Sequence, residues 1–185
     1  MRQKQPEKRE WLCFQDEARF GLKPSYRRVW APIGQRPIAP SRTKYEWSYV
    51  FASVHPESGT THALILPSAN LTTMQLYLDD FATSLPEDVI VLLVLDGATW
   101  HRSPKLNMPD NLHLLFLPPY TPELNPAEHL WPPLREVTAN RAFADINALE
   151  SCLAERCVWL SKHPDKVARS TSFSGYQQST TLSFQ

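Results

Sequence analysis

Val89–His101 reads VIVLLVLDGATWH: seven apolar residues that stop at Asp96 and give way to a glycine and a short polar turn. A Val/Ile/Leu run of this length is too short for a typical helix and matches a strand buried on both faces. Such strands belong to sheets covered by helices, and in open α/β sheets the chemistry sits just past the strands' carboxyl ends. Asp96 is the first residue beyond that end. A carboxylate there with no partner carries an uncompensated desolvation cost, which makes Asp96 the first candidate site residue.

Upstream, Trp11–Phe14 (WLCF) repeats the pattern in miniature, a short apolar run followed at once by Asp16, with Glu17 beside it. The segment FGLKPSYRRVWAPIGQRPIAPSRTK, dense in Arg, Lys, Pro and aromatics, predicts a second strand near Arg27–Ala31 between Pro-rich loops. Trp47–Val54 and Thr61–Leu66 predict strands joined as a hairpin through His55-Pro56-Glu57-Ser58-Gly59. The period then lengthens: Met74, Tyr77, Leu78, Phe81 and Leu85 recur at helical spacing, and Thr72 with Gln75 has capping-box form.

Leu112–Leu117 reads as another strand, closed by Pro118-Pro119. Asn125-Pro126-Ala127-Glu128 opens a helix, with Asn as N-cap and Pro at its first position. Asp145 caps a last amphipathic helix with Ile146, Leu149, Leu153, Cys157 and Leu160 on one face. Residues 1–10 are expected to be a disordered segment, residues 11–169 one domain, and the Ser/Thr/Gln-rich 170–185 a flexible tail. The order of elements predicts an α/β fold, a mixed sheet with helices on its faces.

Composition bounds the rest. A chain of 185 residues, 42% hydrophobic and 21% charged, buries a real core, and wholesale disorder is excluded. Three cysteines (Cys13, Cys152, Cys157) show no metal-like or secretory spacing, which points to a reduced, cytoplasmic compartment. No apolar run approaches the ~20 residues of a membrane span, and MRQKQPEKRE has no signal-peptide core. Among the six histidines no metalloprotease spacing occurs, which argues against zinc. The formal charge is zero but uneven: residues 1–45 hold eleven Lys/Arg against four Asp/Glu, the remainder eight against fifteen. A basic arm beside an acidic body suits a protein that grips phosphates with one part and a cation with the other, and suits a solvated basic surface equally.

Three acids thus stand at predicted element ends: Asp16, Asp96 and Glu128. If the first and central strands are neighbours, Asp16 and Asp96 lie close, and paired carboxylates repel unless a cation neutralises them. A hard divalent ion with oxygen ligands, most naturally Mg²⁺, resolves that repulsion. A third carboxylate lets the site hold two ions across a phosphodiester. Each acid also has a plainer reading. Glu128 completes a capping box at its helix start, and Asp16 serves as a turn residue with Glu17 as a rival ligand. Asp96, after so apolar a run, is the hardest to explain that way.

The segments Asp96-Gly97 with His101, LPPYTPELNP at Leu117–Pro126, and Glu128-His129-Leu130-Trp131 resemble the catalytic core of DDE transposases. The likeness is to the bacterial insertion-sequence branch related to mariner elements. FQDEARFGL and Val29–Pro37 (VWAPIGQRP) fit the same family, so the resemblance runs from about Phe14 to about Arg141. It implies a ribonuclease H-like fold with a mixed five-stranded sheet, and a triad of Asp16, Asp96 and Glu128. The 31 residues between Asp96 and Glu128 suit such a triad. It also implies Mg²⁺-dependent cleavage of double-stranded DNA at element ends, with Mn²⁺ as substitute, and joining of the freed 3′-hydroxyl to target DNA.

Around that triad, His101 sits one short turn past Asp96, where it orients a ligand, touches phosphate or caps a turn. Asn125 orders the helix that presents Glu128. Arg19, Lys23, Arg27, Arg28 and Arg36, interleaved with Tyr26 and Trp30, are candidates for DNA backbone contact. Two features depart from the family pattern. The triad begins too early for the usual N-terminal helix-turn-helix region, so a separate subunit supplies it or the chain is an inactive remnant that at most binds DNA. Pro132-Pro133 falls where the Glu128 helix continues, and a kink or break is expected there. Synapsis of two element ends implies a homodimer.

Overall fold

The computed structural model of the chain describes residues 8–35, 37–38 and 44–172. Five strands, β1 (Arg9–Gly21), β2 (Trp47–His55), β3 (Thr60–Leu66), β4 (Val89–Leu95) and β5 (Leu112–Phe116), form one mixed sheet in the order β3-β2-β1-β4-β5. β1 and β2 pair antiparallel, as do β2 and β3, whereas β1–β4 and β4–β5 are parallel. Helix α1 (Leu71–Ser84) separates the hairpin from β4. Two short 3₁₀ turns, Pro122–Leu124 and Pro126–Leu130, follow β5 and lead into α2 (Trp131–Thr138), α3 (Ile146–Ser161) and α4 (Pro164–Thr171).

The apolar run of β4 is apolar because the sheet is covered twice. Val89, Val91, Leu93 and Leu95 pack with Met74, Tyr77, Leu78 and Phe81 of α1. Val94 turns the other way, into a core with Leu134 of α2, Leu149 and Leu153 of α3, and Val167 of α4. β1 obeys the same two-residue period: Cys13 joins the α1 side, while Phe14, Ala18 and Phe20 join the other. The fold is the predicted α/β sandwich of a mixed five-stranded sheet and flanking helices.

The hairpin turn is fixed by Gly59, whose φ of +70° favours glycine and whose missing side chain leaves room for α4. A Cβ there would stand 1.9 Å from the Pro164 carbonyl oxygen. Gly59→Ala is therefore expected to lower the unfolding free energy by on the order of 2–3 kcal/mol, read as a lower urea midpoint at unchanged slope.

Several boundaries differ from the sequence reading. β1 begins at Arg9, whose guanidinium pairs with Asp88 at 2.7 Å, so the segment expected to be disordered already contributes two residues to the sheet. β1 also continues through Asp16 to Gly21, because β2 pairs it along the register Phe14↔Val54 to Gly21↔Trp47. No strand forms at Arg27–Ala31; that stretch is irregular and exposed, bounded by Pro24 and Pro32. The α1 cap is Asn70 with Thr73, not Thr72 with Gln75. Helix α4 lies beyond the last predicted element and takes in Ser170 and Thr171 of the expected tail. Residues 1–7 and 173–185 lie outside the described residues. Among the described residues, no helix is long and apolar enough to cross a membrane.

Candidate functional site

The pairing of β1 with β4 ends at Phe14↔Val94. Continued by two residues, that register sets Asp16 opposite Asp96, at the point where β4 leaves the sheet and the far side of β1 is still held by β2. Asp16 is thus a mid-strand residue rather than a strand-end one, but it lies where the sheet opens. A cleft of about 580 Å³ occupies this opening and is lined by Asp16, Asp96, Asn125 and Glu128, with Arg102 and Tyr120 at its side. The three predicted acids share this cleft.

Each acid is held differently. Asp16 accepts a 2.7 Å hydrogen bond at Oδ2 from the indole Nε1 of Trp131. Burial pushes its carboxyl up to about 7; the Trp131 bond opposes the shift, and the negative charges of Glu128 and Glu17 add to it. Asp96 leaves 60% of its side chain exposed to the cleft, and its Oδ1 accepts from the Ala98 backbone N–H at 3.0 Å. The same oxygen meets His101 Nδ1 at 2.7 Å. That imidazole holds the Asp96 carboxyl below its ordinary range against partial desolvation, helped by the Ala98 N–H and the charge of Arg102.

His101 is almost wholly buried, and its Nε2 lies 2.8 Å from Glu17 Oε1, a carboxylate whose side chain is 8% exposed. Trp100 Nε1 donates to the same Glu17 oxygen at 3.4 Å. Burial disfavours the imidazolium, yet the carboxylates of Asp96 and Glu17 on either side outweigh it and raise His101 to about 9. A Glu17–His101–Asp96 chain therefore ties the exposed acid to the sheet interior. Beside it, a Cβ on Gly97 would come within 2.7 Å of the Arg102 guanidinium, which lies against Phe116.

Glu128 is carried on the 3₁₀ turn Pro126–Leu130, not on an α-helix. Asn125, itself buried, fixes that turn in two directions. Its Oδ1 accepts from Ala127 N at 3.1 Å, and its Nδ2 donates to the Gln15 carbonyl at 2.9 Å, next door to Asp16. Pro132 and Pro133 do not kink a helix; they occupy the first turn of α2, where a missing N–H costs nothing. The expected break is a change of helix type, and it leaves Trp131 free to cap Asp16.

Of the predicted basic residues, Arg19, Lys23, Arg27 and Arg28 are exposed, and Arg36 lies outside the described residues. None of the four lines the carboxylate cleft; Arg102, which sequence reasoning missed, does. Glu17 as His101's partner and Trp131 as Asp16's donor were missed too, since both contacts join residues more than eighty positions apart.

Three carboxylates on one cleft, one of them driven toward its protonated form by burial and acidic neighbours, are a donor set suited to a hard divalent cation. Among the described residues, however, no three His, Cys, Asp or Glu groups stand as a ready metal-holding cluster.

Residues 11–150 match the model of a family described as DDE superfamily endonuclease. A protein of Sinorhizobium fredii, "Uncharacterized protein y4pE/y4sA", is 42% identical over 100 residues, which cover 54% of this chain and 74% of that protein. The fold is similar to that of Mos1 in its strand transfer complex, with a TM-score of 0.58, 16% identity, and 88% of this chain and 55% of that chain covered. The mariner Mos1 paired end complex with Mg gives a TM-score of 0.59 at 18% identity, with 88% and 56% covered. This chain thus spans little more than half the length of the Mos1 chains, and the likeness is one of fold: the ribonuclease H-like sheet is shared. With three quarters of its length matched by the family model, the chain belongs to the DDE superfamily endonuclease family.

Proposed function

We propose that this chain is the catalytic domain of a DNA transposase, cutting DNA strands at element ends and joining the freed 3′-hydroxyl to target DNA. The observation that carries the reading is the meeting of Asp16, Asp96 and Glu128 on one cleft at the opening of the sheet. In it, the three carboxylates would hold two Mg²⁺, or Mn²⁺ in their place. Bound there, the ions would activate the attacking water or hydroxyl and offset charge on the leaving oxygen. The chain's own work is placement. Glu17 and His101 aim the Asp96 carboxylate, Trp131 fixes one oxygen of Asp16, and Asn125 sets the distance of the Glu128 turn from β1. Arg102 faces the cleft as a phosphate contact, and Arg19, Lys23, Arg27, Arg28 and Arg36 take DNA backbone outside it. Pairing with a second copy and with a helix-turn-helix subunit belongs to the same proposal.

The test is nicking of supercoiled DNA by the 185-residue chain. Mg²⁺ or Mn²⁺ is expected to support it, EDTA to stop it, and Asp96→Asn to slow it by roughly a hundredfold or more. Metal-independent cutting would overturn the reading. Asn125→Ala, which removes the turn's bond to the Gln15 carbonyl, is expected to lower metal affinity or rate by about 10- to 100-fold without unfolding the sheet. One observation favours a second reading, a non-catalytic DNA-binding remnant: the lack of a ready metal cluster among the described residues. That protein would bind DNA with steep salt dependence and show no metal-dependent nicking under any condition.

A further inference from the structure

A second cleft, of about 430 Å³, lies farther along β1 and α2, and Arg19, Lys23, Lys44, Trp47, Arg135 and Arg141 line it. Three of its guanidiniums are laid over aromatic rings: Arg19 over Trp47 at 5.5 Å, Arg135 over Phe20 at 5.5 Å, and Arg141 over Phe143 at 4.9 Å. Its one acidic lining residue, Glu46, is already matched by Lys44 at 3.9 Å. Among the described residues, Arg19, Lys23, Arg135 and Arg141 form no ion pair. Four cations without an acidic partner gathered on one cleft repel one another unless a polyanion enters. Stacking on the rings fixes the guanidiniums in advance, so little side-chain freedom remains to be lost when it does. Trp47 and Tyr45 remain 45% and 76% exposed beside these cations.

The cleft lies farther along the strand that carries Asp16 and shares no lining residue with the carboxylate cleft. β1 runs from Asp16 to Phe20, about 13 Å at strand rise, and α2 carries Trp131, bonded to Asp16, and one turn on Arg135, whose guanidinium lies over Phe20. That distance is about four nucleotides of a stacked strand. We propose that this cleft holds the phosphate backbone of an unpaired DNA strand leaving the carboxylate cleft, with Trp47 and Tyr45 stacking on its bases. Flat rings flanking a row of cations are the surface that unstacked bases take, whereas a closed duplex keeps its base faces covered. An acidic protein segment would use the cations and leave the rings unused. The proposal rests on the endonuclease reading only in taking DNA as the ligand.

The experiment is anisotropy of labelled DNA with the full chain in EDTA, so that binding is read apart from cutting. Two probes are compared, a blunt duplex and the same duplex with a short single-stranded extension. Arg19→Gln/Lys23→Gln is expected to weaken binding of the extended probe by about tenfold or more and to reduce the magnitude of its salt slope by about two. Trp47→Leu is expected to weaken the extended probe by roughly fivefold or more and to leave the blunt duplex unchanged. Unchanged thermal midpoints establish that the variants are folded, and Trp47→Phe, keeping a ring, restores binding. Equal loss on both probes with Trp47→Leu, or none on either, overturns the proposal. So does retained DNA binding with lost self-association in sedimentation, which would make the cleft a protein interface. Failure of nicking with these binding results intact would sink the endonuclease reading and leave the cleft standing.

Discussion

In EDTA at pH 8, Asp16→Asn is expected to be more stable than the parent chain by on the order of 2–4 kcal/mol, read as a higher urea midpoint. Burial and the charge of Glu128 lift the Asp16 carboxyl to about 7, far above its value in an unfolded chain. Below about pH 4 the group is protonated in both states and costs nothing. As pH rises toward 7 the unfolded chain releases the proton more readily than the folded one, so stability falls across that window and levels off above it. An asparagine carries no such penalty and still offers Trp131 an oxygen acceptor. The two proteins should therefore converge near pH 4 and separate by pH 8; parallel curves would show that Asp16 is solvated. If the acids hold a divalent ion, Mg²⁺ at pH 8 narrows the gap by stabilising the parent alone.

His101→Ala is expected to lower the unfolding free energy at pH 7 by about 3–5 kcal/mol, because it leaves the buried Glu17 carboxylate without its cation. His101 is raised to about 9, so its stabilisation is complete below the ordinary histidine range and disappears as pH climbs through 9. The parent should lose stability between about pH 6.5 and 9, and the variant should lack that fall. Glu17→Gln/His101→Ala, which removes both charges, should recover part of the loss; no recovery would mean that the histidine acts through packing alone. The Asp16 and His101 windows meet only near neutrality, so one pH series on the two variants separates them.

The sequence made β4 and Asp96 legible because a strand buried on both faces needs an unbroken apolar run and then a polar stop. The β2–β3 hairpin and α3 were legible by period and caps for similar local reasons. β1 was read too short because Gln15–Arg19 is largely polar; the pairing with β2 that keeps it extended is made by residues thirty or more positions away. Arg27–Ala31 failed in the opposite sense, having strand-like side chains but no strand beside it. Glu128 was found through local cap chemistry, which also fits the 3₁₀ turn it occupies. The contacts that hold the site, Glu17 to His101 and Trp131 to Asp16, left no local signal at all.

The three acids of the cleft differ in what carries them. Asp16 lies within β1, held on its far side by β2, and Asp96 follows the end of β4, two residues beyond the last parallel pair, Phe14↔Val94. Glu128 rides on a five-residue turn tied to β1 by the Asn125 carboxamide and, through the residue that follows it, by the Trp131 indole on Asp16. Ala127 and Leu130 of that turn are buried with Leu134, Leu149 and Leu153, so the position of Glu128 is inherited from the packing of α2 and α3 against the sheet as much as from any single bond.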